Sequence, residues 1–176
     1  MKNLKKSFIA LIAAFAVSCG DPDLPVELFP DMEYGAYARK MSQTGEYNYF
    51  AIESSAVDLH VEYYDANNGA NIAQYDIDVE YVDTKSGGAK SVARTDMRTI
   101  SASEFGTNAD GFLSSDINLS FSAAMSTLGM TQADVDGGSY FRYWFTITMT
   151  DGRVFDYNNA GPNFCLLYTS DAADEV

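Results

Sequence analysis

The chain predicts an all-β fold, an antiparallel β-sandwich of about seven to eight strands with one or two short helices. Three observations carry this. Apolar residues alternate with polar ones in several runs, turn-forming residues separate those runs every ten or so positions, and helical periodicity is confined to short stretches. Uneven loops and a helix interrupting the second half argue against an up-and-down barrel.

Taken in order, Gly35 to Met41 and Tyr47 to Ile52 are short candidate strands. Val57 to Tyr64 is clearer, with Val57, Leu59, Val61 and Tyr63 on one face and Asp58, His60, Glu62 and Tyr64 on the other. After the turn-rich Asp65 to Asn71, Tyr75, Ile77, Val79 and Tyr81 alternate with Asp76, Asp78 and Glu80. Lys85-Ser-Gly-Gly88 turns the chain into Ser91 to Ile100. Ser101 to Phe105 reads as one helical turn with a serine cap, and Thr107 to Gly111 as a loop. Ile117, Leu119 and Phe121 mark another strand. Ser122 to Leu128 is a short helix stopped by Gly129, and Thr131-Gln-Ala-Asp134 has the spacing of a capping box.

The strongest strand is Ser139 to Thr150, followed by a hairpin. A two-residue Asp151-Gly152 turn would set Thr148 against Phe155. A three-residue Thr150-Asp151-Gly152 loop, with Gly152 left-handed, sets Ile147 against Phe155 and Phe145 against Tyr157, and so assembles one apolar face. The second register is the expectation. It sends Phe141, Tyr143, Phe145, Ile147 and Met149 to the core and Arg142, Trp144, Thr146 and Thr148 outward. An immunoglobulin-like strand arrangement fits this run of elements best.

Both ends of the chain read as something other than the sandwich. Residues 1–18 combine a basic start at Lys2, Lys5 and Lys6 with the apolar run Phe8 to Val17. That run is shorter than the roughly 20 residues of a permanent span, so it reads as a removable signal peptide. Ala16-Val17-Ser18-Cys19 resembles a bacterial lipobox, which implies lipidation of Cys19 and anchoring of the chain to a membrane; two or more acyl chains hold a protein stably on a leaflet. Residues 19–33 hold three of the four prolines and no Lys or Arg, the composition of an extended acidic tether. Acidic residues directly after the cysteine resemble the surface-export signal of Bacteroidota lipoproteins. They imply an outer-membrane, lipid-anchored location facing the cell exterior. Residues 165–176 match, from Cys165 to Glu175, the translation of a transposase-type sequencing adapter, and read as a non-native tail. The folded domain is then 34–164.

The formal charge is −14; discounting the signal peptide removes Lys2, Lys5 and Lys6, discounting the 165–176 tail removes Asp171, Asp174 and Glu175, and the charge of tether and domain together stays at −14. A chain this acidic repels nucleic acid and anionic head groups. With Cys19 committed to lipid, no disulfide and no cysteine metal site remain.

Three constellations bear on function. The first is the acidic set Asp58, Glu62, Asp76, Asp78 and Glu80 with the single histidine, His60. If the two strands pair, like charges sit side by side and call for a hard cation or neighbouring bases. Asp58, Glu62 and Asp78 are then the weak metal candidates, and a solvated acidic face is the alternative. The second is Trp144 beside Arg142, an aromatic platform with a hydrogen-bond donor suited to a sugar ring; the alternative is that Trp144 packs under the 122–128 helix or the N-terminal segment. The third is the tyrosine group Tyr34, Tyr37, Tyr47, Tyr49, Tyr63 and Tyr64, fitted to strand faces or to a ligand surface. With one histidine, no Gly-x-Ser-x-Gly elbow, no phosphate loop and no cysteine nucleophile, neither an enzyme nor a cofactor is expected. A carboxylate pair for glycoside hydrolysis, defined by spatial separation, stays open.

The segments Met32 to Arg39, Val61 to Asp65, Arg98 to Phe105, Ala124 to Met130 and Thr148 to Phe155 together resemble small Bacteroidota surface lipoproteins of immunoglobulin-like type. The resemblance implies association with starch-utilisation-type nutrient uptake. On it, the partners are a glycan and an outer-membrane uptake complex, and the function is non-enzymatic glycan or nutrient capture. The alternative is a structural or adhesion module without a small ligand.

Overall fold

In the computed structural model the chain divides into Met1–Glu33 and Tyr34–Val176. The structure describes residues 35–159 and the strand at 167–168. The signal peptide, Cys19, the tether, Tyr34 and most of the 165–176 tail therefore lie outside the described residues.

Among the described residues nine strands form two antiparallel sheets. They are β1 (Tyr37–Thr44), β2 (Ala56–Tyr64), β3 (Ile72–Val82), β4 (Val92–Ser101), β5 (Gly106–Thr107), β6 (Leu113–Ser120), β7 (Tyr140–Met149), β8 (Val154–Phe155) and β9 (Leu167–Tyr168). One sheet has the order β1-β2-β6-β5 and the other β4-β3-β7-β8, with β9 also on β7. In immunoglobulin lettering this is A-B-E-D facing C′-C-F-G. The predicted antiparallel sandwich is therefore the observed fold.

Alternation drives the assembly. Val57, Leu59, Val61 and Tyr63 of β2 meet Tyr75, Ile77, Val79 and Tyr81 of β3 and the five alternate apolar residues of β7 in one buried core. Aromatic rings lock the sheets across this core, with Tyr63 edge-on to Tyr75 at 5.3 Å between centroids. The α-helix, α1 (Phe121–Thr127), starts at Ser120, whose Oγ accepts from the Ala123 amide at 3.1 Å, and ends before Gly129, where φ is +66°. It buries Phe121, Ala124 and Met125. Both predicted capping boxes form, at Ser101 with Glu104 and at Thr131 with Asp134.

Two expectations fail, and the strand pairing on which the acidic set depended does not form, each for an identifiable reason. Tyr47 to Ile52 is not a strand: Tyr49–Ser54 is a 3-10 segment capped by Asn48, whose Oδ1 accepts from the Phe50 amide at 2.8 Å. Tyr47 instead enters the core, where its hydroxyl donates to the Leu119 carbonyl at 3.1 Å and meets the Tyr143 hydroxyl. Strands β2 and β3 do not pair, because β2 lies between β1 and β6 while β3 lies between β4 and β7. The connecting loop is held by Asp65, whose carboxylate accepts from the amides of Asn67, Gly69 and Asn71. In the last hairpin Ile147 pairs with Phe155 around the three-residue loop as expected, and Gly152 has φ +87°. Phe145 and Tyr157 do not pair, because Asp156 and Asn159 fold the chain into a turn just after β8, with the Asp156 amide donating to Asn159 Oδ1 at 2.8 Å.

Candidate functional site

The outward face of the β4-β3-β7 sheet gathers Trp144, Arg142, Arg94, Asp78 and Glu80. The register places Asp78 opposite Trp144 and Glu80 opposite Arg142. Arg94, on β4, donates from Nε to Asp78 Oδ2 at 2.5 Å, and its Nη2 joins the same oxygen. Arg142 pairs with Glu80 at 2.8 Å and donates to the Tyr140 hydroxyl at 2.8 Å. Of the like charges expected on β3, Asp78 and Glu80 are thus in ion pairs, while Asp76 accepts from Thr99 Oγ1 at 2.6 Å and from Gln74 Nε2 at 2.9 Å. Burial pushes the Asp78 carboxyl above its usual value, and the Arg94 guanidinium offsets part of that shift.

Trp144 sits among these ion pairs. The Arg94 guanidinium carbon is 5.2 Å from its ring centroid and that of Arg142 is 5.7 Å. Tyr157 packs edge-on at 5.4 Å. None of these ring neighbours belongs to α1. The indole is half-buried, and its Nε1 has no hydrogen-bond partner among the described residues. Trp144 and Arg142 are brought together as the sequence indicates, whereas Arg94 and Tyr157 are additions.

The weak metal candidates are not brought together. Asp58 and Glu62 lie on β2, in the opposite sheet from Asp78. Asp58 accepts from Asn118 Nδ2 at 2.7 Å. Glu62, expected on the solvated side, is buried and accepts at 2.5 Å from both the Tyr64 hydroxyl and Asn108 Nδ2. His60 Nδ1 contacts Asp116 Oδ1 at 2.6 Å. Among the described residues no group of three or more His, Cys, Asp or Glu is placed to hold a metal ion.

The tyrosines divide by position. Tyr47 and Tyr63 are core residues, Tyr37 stacks on Tyr64 at 5.0 Å on the outer face of the first sheet, and Tyr49 lines a cleft of about 440 Å³ between the 3-10 segment and α1. A second cleft of about 350 Å³ crosses β1, β2 and β6 at Ser42, Asp58, His60, Asp116 and Asn118. Neither cleft has a signature in the sequence, since each joins residues far apart in the chain.

Protein-family models, curated proteins and solved structures give no match to this chain.

Proposed function

We propose that the chain is a surface-exposed outer-membrane lipoprotein, anchored through Cys19, whose sandwich is a non-enzymatic binding or accessory module for glycan or nutrient capture. Trp144 carries the reading. It is a half-buried indole on the outward face of a rigid strand, with two guanidinium groups alongside and the exposed Tyr157 at its edge. Sugar hydroxyls accept hydrogen bonds from such donors while the ring's apolar face packs on an aromatic. The lipobox-like stretch, the acidic tether and the resemblance to Bacteroidota surface lipoproteins support display outside the outer membrane and action beside an uptake complex.

Retardation of the full-length chain in gels containing polysaccharide, lost in Trp144→Ala, tests the binding. No retardation on any glycan counts against it. Incorporation of labelled palmitate, abolished by Cys19→Ala, tests the anchor, and label surviving in that variant sinks it. One observation favours the second reading, a structural or adhesion module with no small ligand: both guanidinium groups already lie against the indole. On that reading Trp144→Ala lowers stability and changes no binding.

A further inference from the structure

We infer that the cleft between the 3-10 segment and α1 is a separate subsite for a neutral, polyhydroxylated ligand, a sugar unit, with Phe50 as its aromatic platform. The inference rests on the glycan-capture reading and is independent of the Trp144 site.

Among the described residues Phe50 is the most exposed large hydrophobic residue, at 78%. An aromatic ring left in water gains nothing from folding, yet the backbone beneath it is fixed at several points. Asn48 Oδ1 accepts from the Phe50 amide at 2.8 Å, the Ala51 amide donates to the Asn48 carbonyl at 3.0 Å, and Ser54 Oγ donates to the Ala51 carbonyl at 3.2 Å. Gln132 Nε2 donates to the Tyr49 carbonyl at 3.0 Å, tying the segment to the turn after α1. Tyr49 packs edge-on to Phe50 at 5.4 Å, and Tyr49 and Ile52 rest on the core. Phe50 is therefore displayed on a pre-ordered support, and pre-ordering lowers the entropic cost of binding.

The chemistry of the lining selects the ligand class. Apolar surface comes from Tyr49, Phe50, Ile52 and Met125, and polar groups from Glu53, Ser54 and Gln132. Among the described residues no Lys or Arg lines the cleft, and the one charged side chain there is the carboxylate of Glu53. An anionic ligand is repelled. A sugar suits the site, since its ring C–H face packs on Phe50 while its hydroxyls donate to Glu53 and exchange hydrogen bonds with Ser54. The volume of about 440 Å³ falls within the range of small-ligand sites.

The test is a calorimetric titration of the full-length chain with amylopectin, xyloglucan and galactomannan as neutral probes and polygalacturonate as the anionic one. Wild type should bind at least one neutral probe and not polygalacturonate. Phe50→Ala should weaken that binding about tenfold or more, the scale of one lost aromatic contact. Phe50→Trp should retain it, and Glu53→Ala should weaken it without changing the far-ultraviolet circular dichroism. Because Phe50 is exposed, its truncation leaves the fold intact. If Phe50→Ala binds as wild type does while Trp144→Ala does not, the cleft is refuted and the Trp144 reading stands. Loss in Phe50→Ala with binding kept in Trp144→Ala supports the cleft and removes the Trp144 site. Tighter binding of polygalacturonate than of the neutral probes, or no binding of any probe, overturns the inference.

Discussion

Replacing Tyr47 by Phe removes a hydroxyl that joins the two sheets. The Tyr47 proton goes to the Leu119 carbonyl of β6, so the Tyr143 hydroxyl of β7 is the donor in the contact between the two tyrosines. Tyr47 is 4% exposed and Tyr143 is fully buried. In Tyr47→Phe the Tyr143 hydroxyl is left buried without an acceptor, which costs roughly 1–3 kcal/mol. In Tyr143→Phe the Tyr47 hydroxyl keeps its carbonyl and only one hydrogen bond is lost, about 0.5–1.5 kcal/mol. The double variant leaves neither hydroxyl stranded, so it should cost no more than Tyr47→Phe alone. Urea unfolding followed by circular dichroism measures this as shifts in Cm at unchanged m. A larger loss in Tyr143→Phe than in Tyr47→Phe, or a double-variant loss equal to the sum of the singles, would refute the proposed direction of the bond.

Burial raises the phenol pKa of Tyr47 and Tyr143 and pushes that of Tyr63 up to about 12, from an unfolded value of 10.0. A raised native pKa gives stability that is intact below the unfolded value and lost as pH rises through the native one. The domain should therefore weaken from about pH 10 towards 12, with these phenolates appearing at 295 nm only on unfolding; early, non-cooperative ionisation of every tyrosine would contradict it. Gly152→Ala places a side chain at φ +87° in open space and should cost about 1–2 kcal/mol, the price of the left-handed backbone alone. Gly69→Ala, at φ +88° with its Cβ 2.8 Å from the Tyr63 carbonyl, should cost more in the same urea assay, and equal losses would argue against that close approach. Arg94→Ala uncovers one side of the Trp144 indole and strands the Asp78 carboxylate. Acrylamide quenching of Trp144 should rise and Cm should fall, with Asp78→Asn restoring part of the Cm; unchanged quenching would place Arg94 away from the ring.

Strands buried on one face were legible because burial repeats every second residue. The alternation over Phe141 to Met149 therefore named both the core residues and the outward Trp144 and Arg142. Capping spacings were legible for the same local reason at Ser101 and Thr131. What could not be read depends on distant parts of the chain. Asp58 and Glu62 looked like neighbours of Asp78 because β2 and β3 are consecutive, but the Asp65 loop carries the chain to the other sheet. Arg94 has no signature in the sequence because β4 lacks clean alternation and its pairing with β3 shifts between Ile77 and Asp78 and again between Val79 and Tyr81. Tyr157 leaves the core register that alternation predicts for it because the Asp156 amide donates to Asn159 Oδ1 and the Asn158 amide to Asp156 Oδ1, which ends the strand after Phe155. The cleft at Phe50 exists because Asn48 caps a 3-10 segment where alternation indicated a strand.

Trp144 is the one tryptophan in the chain, so its emission reports on the proposed glycan surface without interference from another indole. Titrating the full-length chain with the neutral polysaccharides while recording that emission is the most direct test of the capture function. A saturable shift or change in intensity, abolished when Arg142 is replaced by Ala, is the predicted result. Emission unchanged by every probe at concentrations that bind the chain would contradict Trp144 as the capture site.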